Sequence, residues 1–496
     1  MSDNPIPRPK NILYIFTDDQ SFRSVSCYPG AHSWVNTPNI DRLAREGVRF
    51  TNCYTGAWCA PSRATYLTGK LQHGITSMHL PSGYPNFVRD PDRCPYWLEH
   101  LRNDGWYTGV IGKWHTGPDH GHGRYWDFSA IWDHSQPELY GPYYTNQKMS
   151  IQGGPPEEVG GYSTDNYTEF ALDFLRGREE DPETPWHLWL CYDAVHGPWT
   201  VADRHLEDYQ DVSPVPTPED IYPPRPTKAG HMRAYGMWRE DDNGDPVFIL
   251  DGRTLTDWVQ QYNRAVRALD EGVGRVLDAV EAMGQLDETL IVFTSDQGFA
   301  WGQHGFRHKF APYDANIKAP MIVRMPGLVT PGTVCDAPIG GQDIPPTFLS
   351  LIGMEQPWPM HGHDISPLLA NPDAEWEHPL LLENTRYCFG EYTDVGTGEA
   401  EGGIPWWVSL RTERHKYIRW LVYGEIEEMY DLENDPEELV NLALEPDHHE
   451  QLARLRHMTI DELRRTEAGM ADHLPPVLVL TKEQLLGGAP VETAGT

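Results

Sequence analysis

The sequence has no run of about 18 apolar residues, the length that a membrane-spanning helix needs. Its first residues, Met1-Ser2-Asp3-Asn4-Pro5, lack the basic start and the apolar core of a secretion signal. From these two absences we expect no membrane partner and a cytoplasmic protein.

Paired cysteines and an excess of positive charge are missing as well. The seven cysteines are scattered and form no CxxC pair, which argues against a disulfide framework and against a zinc–thiolate site. The net charge of −34 argues against a nucleic-acid partner. An anionic substrate would therefore be gathered by a local cluster of Lys, Arg and His that acts against the overall field.

The 496 residues exceed one ordinary core, so we expect a large domain and a smaller one. From about residue 10 to 350, short apolar runs alternate with amphipathic stretches, which predicts an α/β sheet covered by helices on both faces. The predicted strands are Asn11–Thr17, Thr108–Ile111, His187–Tyr192, Leu290–Thr294 and Met321–Val323. The predicted helices are Pro38–Gly47, Tyr96–Arg102, Asn166–Leu175 and Leu255–Met283.

Two stretches depart from this rhythm. Residues 196–250 are rich in Pro and charge, which predicts a long surface insertion that borders the active site. After about residue 370 the pattern predicts an antiparallel sheet with one helix against it. Its strands are Leu380–Glu383, Trp407–Arg411, Tyr417–Leu421 and Glu427–Tyr430, and its helix is His449–Arg465. We therefore predict a catalytic domain over residues 1–370 and a smaller C-terminal α+β domain over 371–496, with a loosely ordered end.

Acidic residues follow two of the predicted strands directly. Asp18 and Asp19 come after the first strand, and Asp296 and Gln297 come just after the strand that ends at Thr294. Ligands of open α/β sheets bind at the carboxyl ends of strands, where these oxygens could converge on a hard cation such as Ca²⁺ or Mg²⁺. The alternative is that Asp18 and Asp19 cap a following helix.

A further cluster of chemistry-bearing residues lies in the segment Cys59-Ala60-Pro61-Ser62-Arg63-Ala64-Thr65-Tyr66-Leu67-Thr68-Gly69. Pro61 can occupy the first turn of a helix, and Arg63, four residues beyond Cys59, would then lie on the same face as the thiol. A helix N-terminus together with an arginine attracts anions. The alternative is a buried, inert cysteine.

This segment resembles the signature of the type I sulfatases, Cys-x-Pro-x-Arg followed by Leu-Thr-Gly. Other blocks resemble the family's conserved blocks in the same order: Asp18-Asp19, Lys113-Trp114-His115, Val195-His196-Gly197-Pro198, Ser295-Asp296-Gln297-Gly298 and His304-Gly305 with Lys309. The resemblance implies a sulfuric ester hydrolase. It also implies an alkaline-phosphatase-like fold, with a large mixed sheet sandwiched by helices.

The resemblance also implies two cofactors. A separate maturation enzyme would oxidise Cys59 to formylglycine, whose hydrate attacks sulfur through one hydroxyl and releases sulfate through the other. One divalent cation, Ca²⁺ with Mg²⁺ as the alternative, would be held by Asp18, Asp19, Asp296, Gln297 and an oxygen of the modified Cys59. The family usually has Asn or His at the position of Gln297, so water could replace this side chain in the ligand shell.

The remaining roles are implied in the same way. Arg63 would orient the formylglycine. Lys113 and His115 would contact the hydrate and the sulfate, while His196 and Lys309 would bind the sulfate and assist the leaving oxygen.

The substrate is left open by these motifs. We expect a short sulfated saccharide, with an aryl sulfate or a small zwitterionic ester as alternatives. A phosphonate monoester or phosphodiester hydrolase on the same scaffold is a second interpretation. A non-catalytic binding protein that keeps an unmodified Cys59 is the third.

Overall fold

The computed structural model describes residues 8–79, 88–398 and 403–487. The strands are β1 Asn11–Thr17, β2 Val48–Tyr54, β3 Met78–His79, β4 Val88–Arg89, β5 Tyr107–Lys113, β6 Phe128–Trp132, β7 Thr145–Ile151, β8 Glu157–Tyr162, β9 Trp186–Cys191, β10 Trp238–Glu240, β11 Pro246–Phe248, β12 Thr289–Ser295, β13 Ala319–Arg324, β14 Thr333–Cys335, β15 Ile339–Gly340, β16 Leu380–Asn384, β17 Trp407–Arg411, β18 His415–Trp420 and β19 Glu428–Asp431. The N-terminal segment read for a secretion signal and the end of the predicted loose tail lie outside the described residues.

The helices are α1 Pro38–Glu46, α2 Cys59–Thr68, α3 Leu98–Asn103, α4 Ser163–Glu179, α5 Gly230–Arg233, α6 Leu255–Ala282, α7 Asp314–Ile317, α8 Ile344–Ile352, α9 Ser366–Ala370, α10 His449–Arg465 and α11 Lys482–Gly487. Over the ranges just given, no helix is long and apolar enough to cross a membrane. The predicted helix Tyr96–Arg102 begins two residues later than expected, because the apolar pattern does not mark where helical hydrogen bonding starts.

One large mixed sheet organises the molecule, in the order β14-β2-β13-β12-β1-β9-β5-β6-β7-β8, with β15 also beside β2. The central strands β12, β1, β9, β5 and β6 run parallel to one another, while β13 and β7 are antiparallel to their inner neighbours. β1, β9 and β12 are buried along their whole length, as expected for parallel strands with both faces covered.

Side chains of β1 alternate between two hydrophobic cores. Tyr14 and Phe16 enter the core that contains residues of α2 and α8, whereas Leu13 and Ile15 enter the core that contains residues of α4 and α6. Because successive side chains of a strand point to opposite faces, β1 contributes side chains to the cores on both sides of the sheet. This arrangement confirms the predicted mixed sheet between helices.

A smaller antiparallel sheet, in the order β16-β17-β18-β19, follows the large one, and α10 contacts it. This confirms the predicted C-terminal antiparallel sheet with a helix, while the boundary at residue 370 stays a prediction.

The sequence predicted that residues 196–250 form a surface insertion. In the structure, part of this insertion is buried. It contains α5 and the β10–β11 hairpin, and Lys228 is buried with its Nζ donating to Tyr430 Oη at 3.0 Å and to the Glu438 carbonyl at 2.7 Å. These contacts could not be predicted from the proline-rich composition, because they are made with residues about two hundred positions away.

Candidate active site at the carboxyl ends of the central strands

The parallel strands deliver most of the predicted site residues to one edge of the sheet. Thr17 pairs with Ser295, and Phe16 and Gly112 both pair with Cys191, so β1, β12, β9 and β5 end at the same level. The residues that emerge there are Asp18 and Asp19 after β1, Asp296 and Gln297 after β12, Lys113 and His115 at the end of β5, and His196 after β9.

Cys59 is the first residue of α2, which lies against this edge. The helix follows the extended residue Trp58 and ends at Gly69, whose left-handed φ of 69° lets its N–H reach the Thr65 carbonyl. Arg63 follows Cys59 by one turn, as the spacing predicted. The thiol therefore sits at the electropositive N-terminus of a helix and is almost fully buried.

Charged groups surround the Cys59 sulfur. Lys309 Nζ lies 2.9 Å from Sγ, and the thiol donates to Asp18 Oδ1 at 3.2 Å. Burial, reinforced by the charges of Asp18 and Asp296, raises the pKa of the Cys59 thiol well above its ordinary value. The unmodified sulfur is therefore a protonated thiol at neutral pH and a weak nucleophile.

Three buried carboxylates and three buried cations pair one to one. Lys113 Nζ contacts Asp18 Oδ2, Lys309 Nζ lies 2.6 Å from Asp19 Oδ1, and Arg63 Nη2 lies 3.0 Å from Asp296 Oδ2. Burial alone would raise the pKa of Asp18, but the surrounding positive charges, led by that of Lys113, together outweigh it and hold this pKa well below its usual range.

Arg63 is anchored to the ends of two strands. Its Nη1 donates to the Lys113 carbonyl at 2.7 Å and its Nη2 donates to Asp296, so it ties α2 to the ends of β5 and β12. Its role in orienting a modified Cys59 stays a prediction.

With an oxygen of a modified residue 59 in place of the Cys59 sulfur, the acidic cluster would fit a hard divalent cation. Asp18, Asp19, Cys59 and His196 each offer one ligand atom, and these atoms lie within 4.8 Å of one another. Gln297 Oε1 is buried and has no hydrogen-bond partner among the residues that the structure describes, which leaves an acceptor available to a cation. Carboxylate and amide oxygens are ligands of Ca²⁺ and Mg²⁺ rather than of soft metals.

Asp296 completes the negative side of this cluster. Its Oδ1 accepts from the Asp19 N–H at 3.0 Å, while burial, followed by the charge of Asp18, raises the pKa of its carboxyl to about 7. Gathering carboxylates in this way is electrostatically costly, and a bound cation would lower that cost.

His196 faces the same cluster from the loop after β9. Its Nδ1–H donates to the Gly197 carbonyl at 2.7 Å, and its Nε2 lies 3.6 Å from Asp19 Oδ2. Burial lowers the pKa of His196 to about 4, against the opposing effect of the two aspartates. The tautomer is thus fixed by the backbone, with Nε2 turned toward the acidic cluster.

Two aromatic residues that the sequence did not single out complete the site. Tyr143 Oη accepts from Lys113 Nζ at 2.9 Å, and its ring stacks on His196 with centroids 4.4 Å apart. The His134 ring packs against His115 at 4.5 Å. His134 lies just after β6 and could have been predicted from this position at a strand end, whereas Tyr143 lies in a loop that no sequence pattern marks.

The backbone at this edge is held in uncommon conformations. Asp19 and His115 have φ values of 57° and 58°, in the left-handed region that L residues rarely occupy. Such positions persist only where surrounding contacts impose them, and they cluster at functional sites.

The sequence is similar to family models and to known proteins over most of its length. A family model described as Sulfatase matches residues 10–354, and one described as N-sulphoglucosamine sulphohydrolase, C-terminal, matches residues 302–466. An N-acetylglucosamine-6-O-sulfatase from Bacteroides thetaiotaomicron is 31% identical over 87% of this chain and 82% of its own length. A choline-sulfatase from Rhizobium meliloti is 27% identical over 88% and 83%.

The fold is also similar to that of a solved structure. A protein in complex with its substrate D-glucosamine-2-N,6-O-disulfate superposes with a TM-score of 0.77 at 27% identity, covering 93% of this chain and 98% of that one. The large sheet and the smaller C-terminal sheet are thus both part of a known architecture.

Proposed function

The chain belongs to the sulfatase family and is a sulfuric ester hydrolase, and we propose that its substrate is a short sulfated saccharide whose sulfate is removed at Cys59. The observation that carries the proposal is the placement of Cys59 at the start of α2, between Lys309 Nζ and Asp18 Oδ1. Support for a saccharide comes from the relative named for N-acetylglucosamine 6-sulfate and from the structure bound to a glucosamine disulfate.

The family implies a formylglycine and a divalent metal. We assign the formylglycine to Cys59, made by a separate maturation enzyme, and a Ca²⁺ ion to Asp18, Asp19, Asp296 and Gln297. When present, the aldehyde hydrate supplies an attacking hydroxyl and a second hydroxyl through which sulfate departs, and the cation lowers the pKa of the attacking one.

The cationic side chains bind and orient the sulfate. Lys113 Nζ contacts Asp18, which accepts from the Cys59 thiol, and Lys309 Nζ contacts the Cys59 sulfur itself. In a buried setting their charges stabilise an anion far more than they would at the surface. Arg63 holds the start of α2 against the ends of β5 and β12.

The histidines move protons. The Nδ1–H bond to Gly197 keeps the His196 ring oriented, so that Nε2 can give a proton to the leaving oxygen. An anionic substrate beside Nε2 favours the protonated ring and offsets the effect of burial on the pKa of His196. His115, buried at the end of β5, takes the proton of the second hydroxyl.

A panel of substrates tests this function. N-acetylglucosamine 6-sulfate, 4-nitrophenyl sulfate, choline sulfate and a phenyl phosphonate monoester should be compared by kcat/KM with the matured enzyme. The saccharide sulfate should have the highest value. A preference for the phosphonate would replace the proposal with the phosphonate hydrolase, and no turnover of any ester by the matured protein would favour the binding protein.

A further inference from the structure

Lys309 reaches the Cys59 sulfur from a short loop, residues 302–310, which we term the lysine loop. Its Nζ contacts Asp19 and Cys59, so a small shift of the loop would remove it from both. The loop ends at Phe310, whose φ of 75° is in the left-handed region. A bulky residue in this conformation needs external contacts to hold it there.

Hydrogen bonds on both sides of Phe310 supply those contacts. Its N–H donates to the Ala57 carbonyl at 3.2 Å, two residues before Cys59. Its carbonyl accepts from Asn384 Nδ2 at 3.1 Å and from Trp407 Nε1 at 2.7 Å. Phe310, the residue that follows Lys309, is therefore hydrogen-bonded both to the segment that precedes Cys59 and to the C-terminal sheet.

The two donors belong to one structural unit. Asn384 is the last residue of β16, Trp407 is the first residue of β17, and the two are paired across these strands. Both side chains are buried, so neither can exchange its bond with the Phe310 carbonyl for a bond with water without opening the sheet. Two paired residues of the C-terminal sheet thus donate to the same carbonyl of the lysine loop.

We propose that Asn384 and Trp407 are positioning residues for Lys309, and that the C-terminal sheet contributes to sulfate hydrolysis through the Phe310 carbonyl. The kinetic part of this proposal rests on the proposed function, because it takes Lys309 to bind the sulfate. The structural part, which states that the two donors hold the lysine loop in place, does not depend on the proposed function.

The test uses Trp407→Phe, which keeps an aromatic ring in the sheet and removes the indole donor. Trp420→Phe is the matched control, since Trp420 pairs with Trp407 in the same sheet and its Nε1 donates to Glu428 at 3.2 Å rather than to a residue of the lysine loop. Asn384→Ala removes the second donor and serves if Trp407→Phe fails to fold.

Hydrogen–deuterium exchange gives the first readout. Peptides that cover residues 302–310 should exchange about ten-fold faster in Trp407→Phe or Asn384→Ala than in the wild type, and at the wild-type rate in Trp420→Phe. Unchanged exchange in both donor variants would overturn the proposal. This comparison decides the positioning role even if the wild type hydrolyses no sulfate ester, the result that would refute the proposed function instead.

The second readout is kcat/KM for 4-nitrophenyl sulfate in two backgrounds. Trp407→Phe should lower kcat/KM about ten-fold when Lys309 is present and should change it less than two-fold in a Lys309→Ala background, because no lysine is left to position. An equal ten-fold loss in both backgrounds would mean a general structural defect and would overturn the proposal.

Discussion

Burial governs the chemistry of individual residues at this site. Burial shifts the pKa values of the Cys59 thiol and the His196 imidazole so that both groups are uncharged at neutral pH, whereas the surrounding positive charges, led by Lys113, hold the pKa of Asp18 low. A protonated, buried thiol next to three carboxylates is badly suited to attack an anionic ester. The same position suits a residue whose attacking group is an oxygen close to a cation.

The proposed role of His196 as proton donor predicts a dependence on the leaving group. His196→Ala should lower kcat/KM for N-acetylglucosamine 6-sulfate by about 10²–10⁴-fold, because the sugar hydroxyl is a poor leaving group without a proton. The loss for 4-nitrophenyl sulfate should be below about ten-fold, since nitrophenolate leaves unaided. His363→Ala, which removes a half-buried histidine stacked on His378, is the control. Equal losses on the two substrates would make His196 a binding residue only.

At the scale of elements, the ends of buried strands were readable from the sequence. The apolar runs of β1 and β12 are continuous because both faces of the sheet are covered, so their ends, and the acids that follow, stand out. The first turn of helix α2 was predictable because Pro61 follows Cys59 by two residues.

Contacts between distant loops were not readable. Tyr143 and the tie between Phe310 and Trp407 depend on tertiary packing that no local pattern encodes. The buried course of the insertion near Lys228 depends on Tyr430 and Glu438 in the same way. The sequence therefore indicated which strand ends meet, but not which loops cover them.

The convergence of strand ends predicts one metal site. Chelation of the matured enzyme should abolish activity, and Ca²⁺ should restore it. Asp296→Asn should lose the ion by elemental analysis and should lose the Ca²⁺-dependent rise in melting temperature, because a ligand at about 100 times its Kd stabilises by about 2.7 kcal/mol.

Asp270→Asn is the control for that experiment. Asp270 is a buried carboxylate that accepts from the N–H groups of Asn39 and Ile40 at the start of α1, so its variant should keep the ion. Full metal content in Asp296→Asn would remove this residue from the ligand set.

For the whole molecule, the net charge of −34 opposes the approach of an anionic substrate, although the six charged side chains of the site balance one another. Raising ionic strength from about 10 to 150 mM should therefore raise kcat/KM for N-acetylglucosamine 6-sulfate a few-fold, because salt screens the repulsion. Choline sulfate, a zwitterion, should respond much less. A fall with salt for the saccharide sulfate would show that the local cationic field dominates.

The most direct measurement compares the state of Cys59 with turnover. Preparations made with graded amounts of a competent maturation enzyme should be analysed by mass spectrometry of the Cys59 peptide, whose mass falls by about 18 Da when the aldehyde replaces the thiol. Turnover should rise in proportion to the modified fraction, and Cys59→Ala should be folded and inactive, because removal of one small side chain seldom unfolds a domain. Full turnover by a preparation in which Cys59 is entirely unmodified would contradict the account.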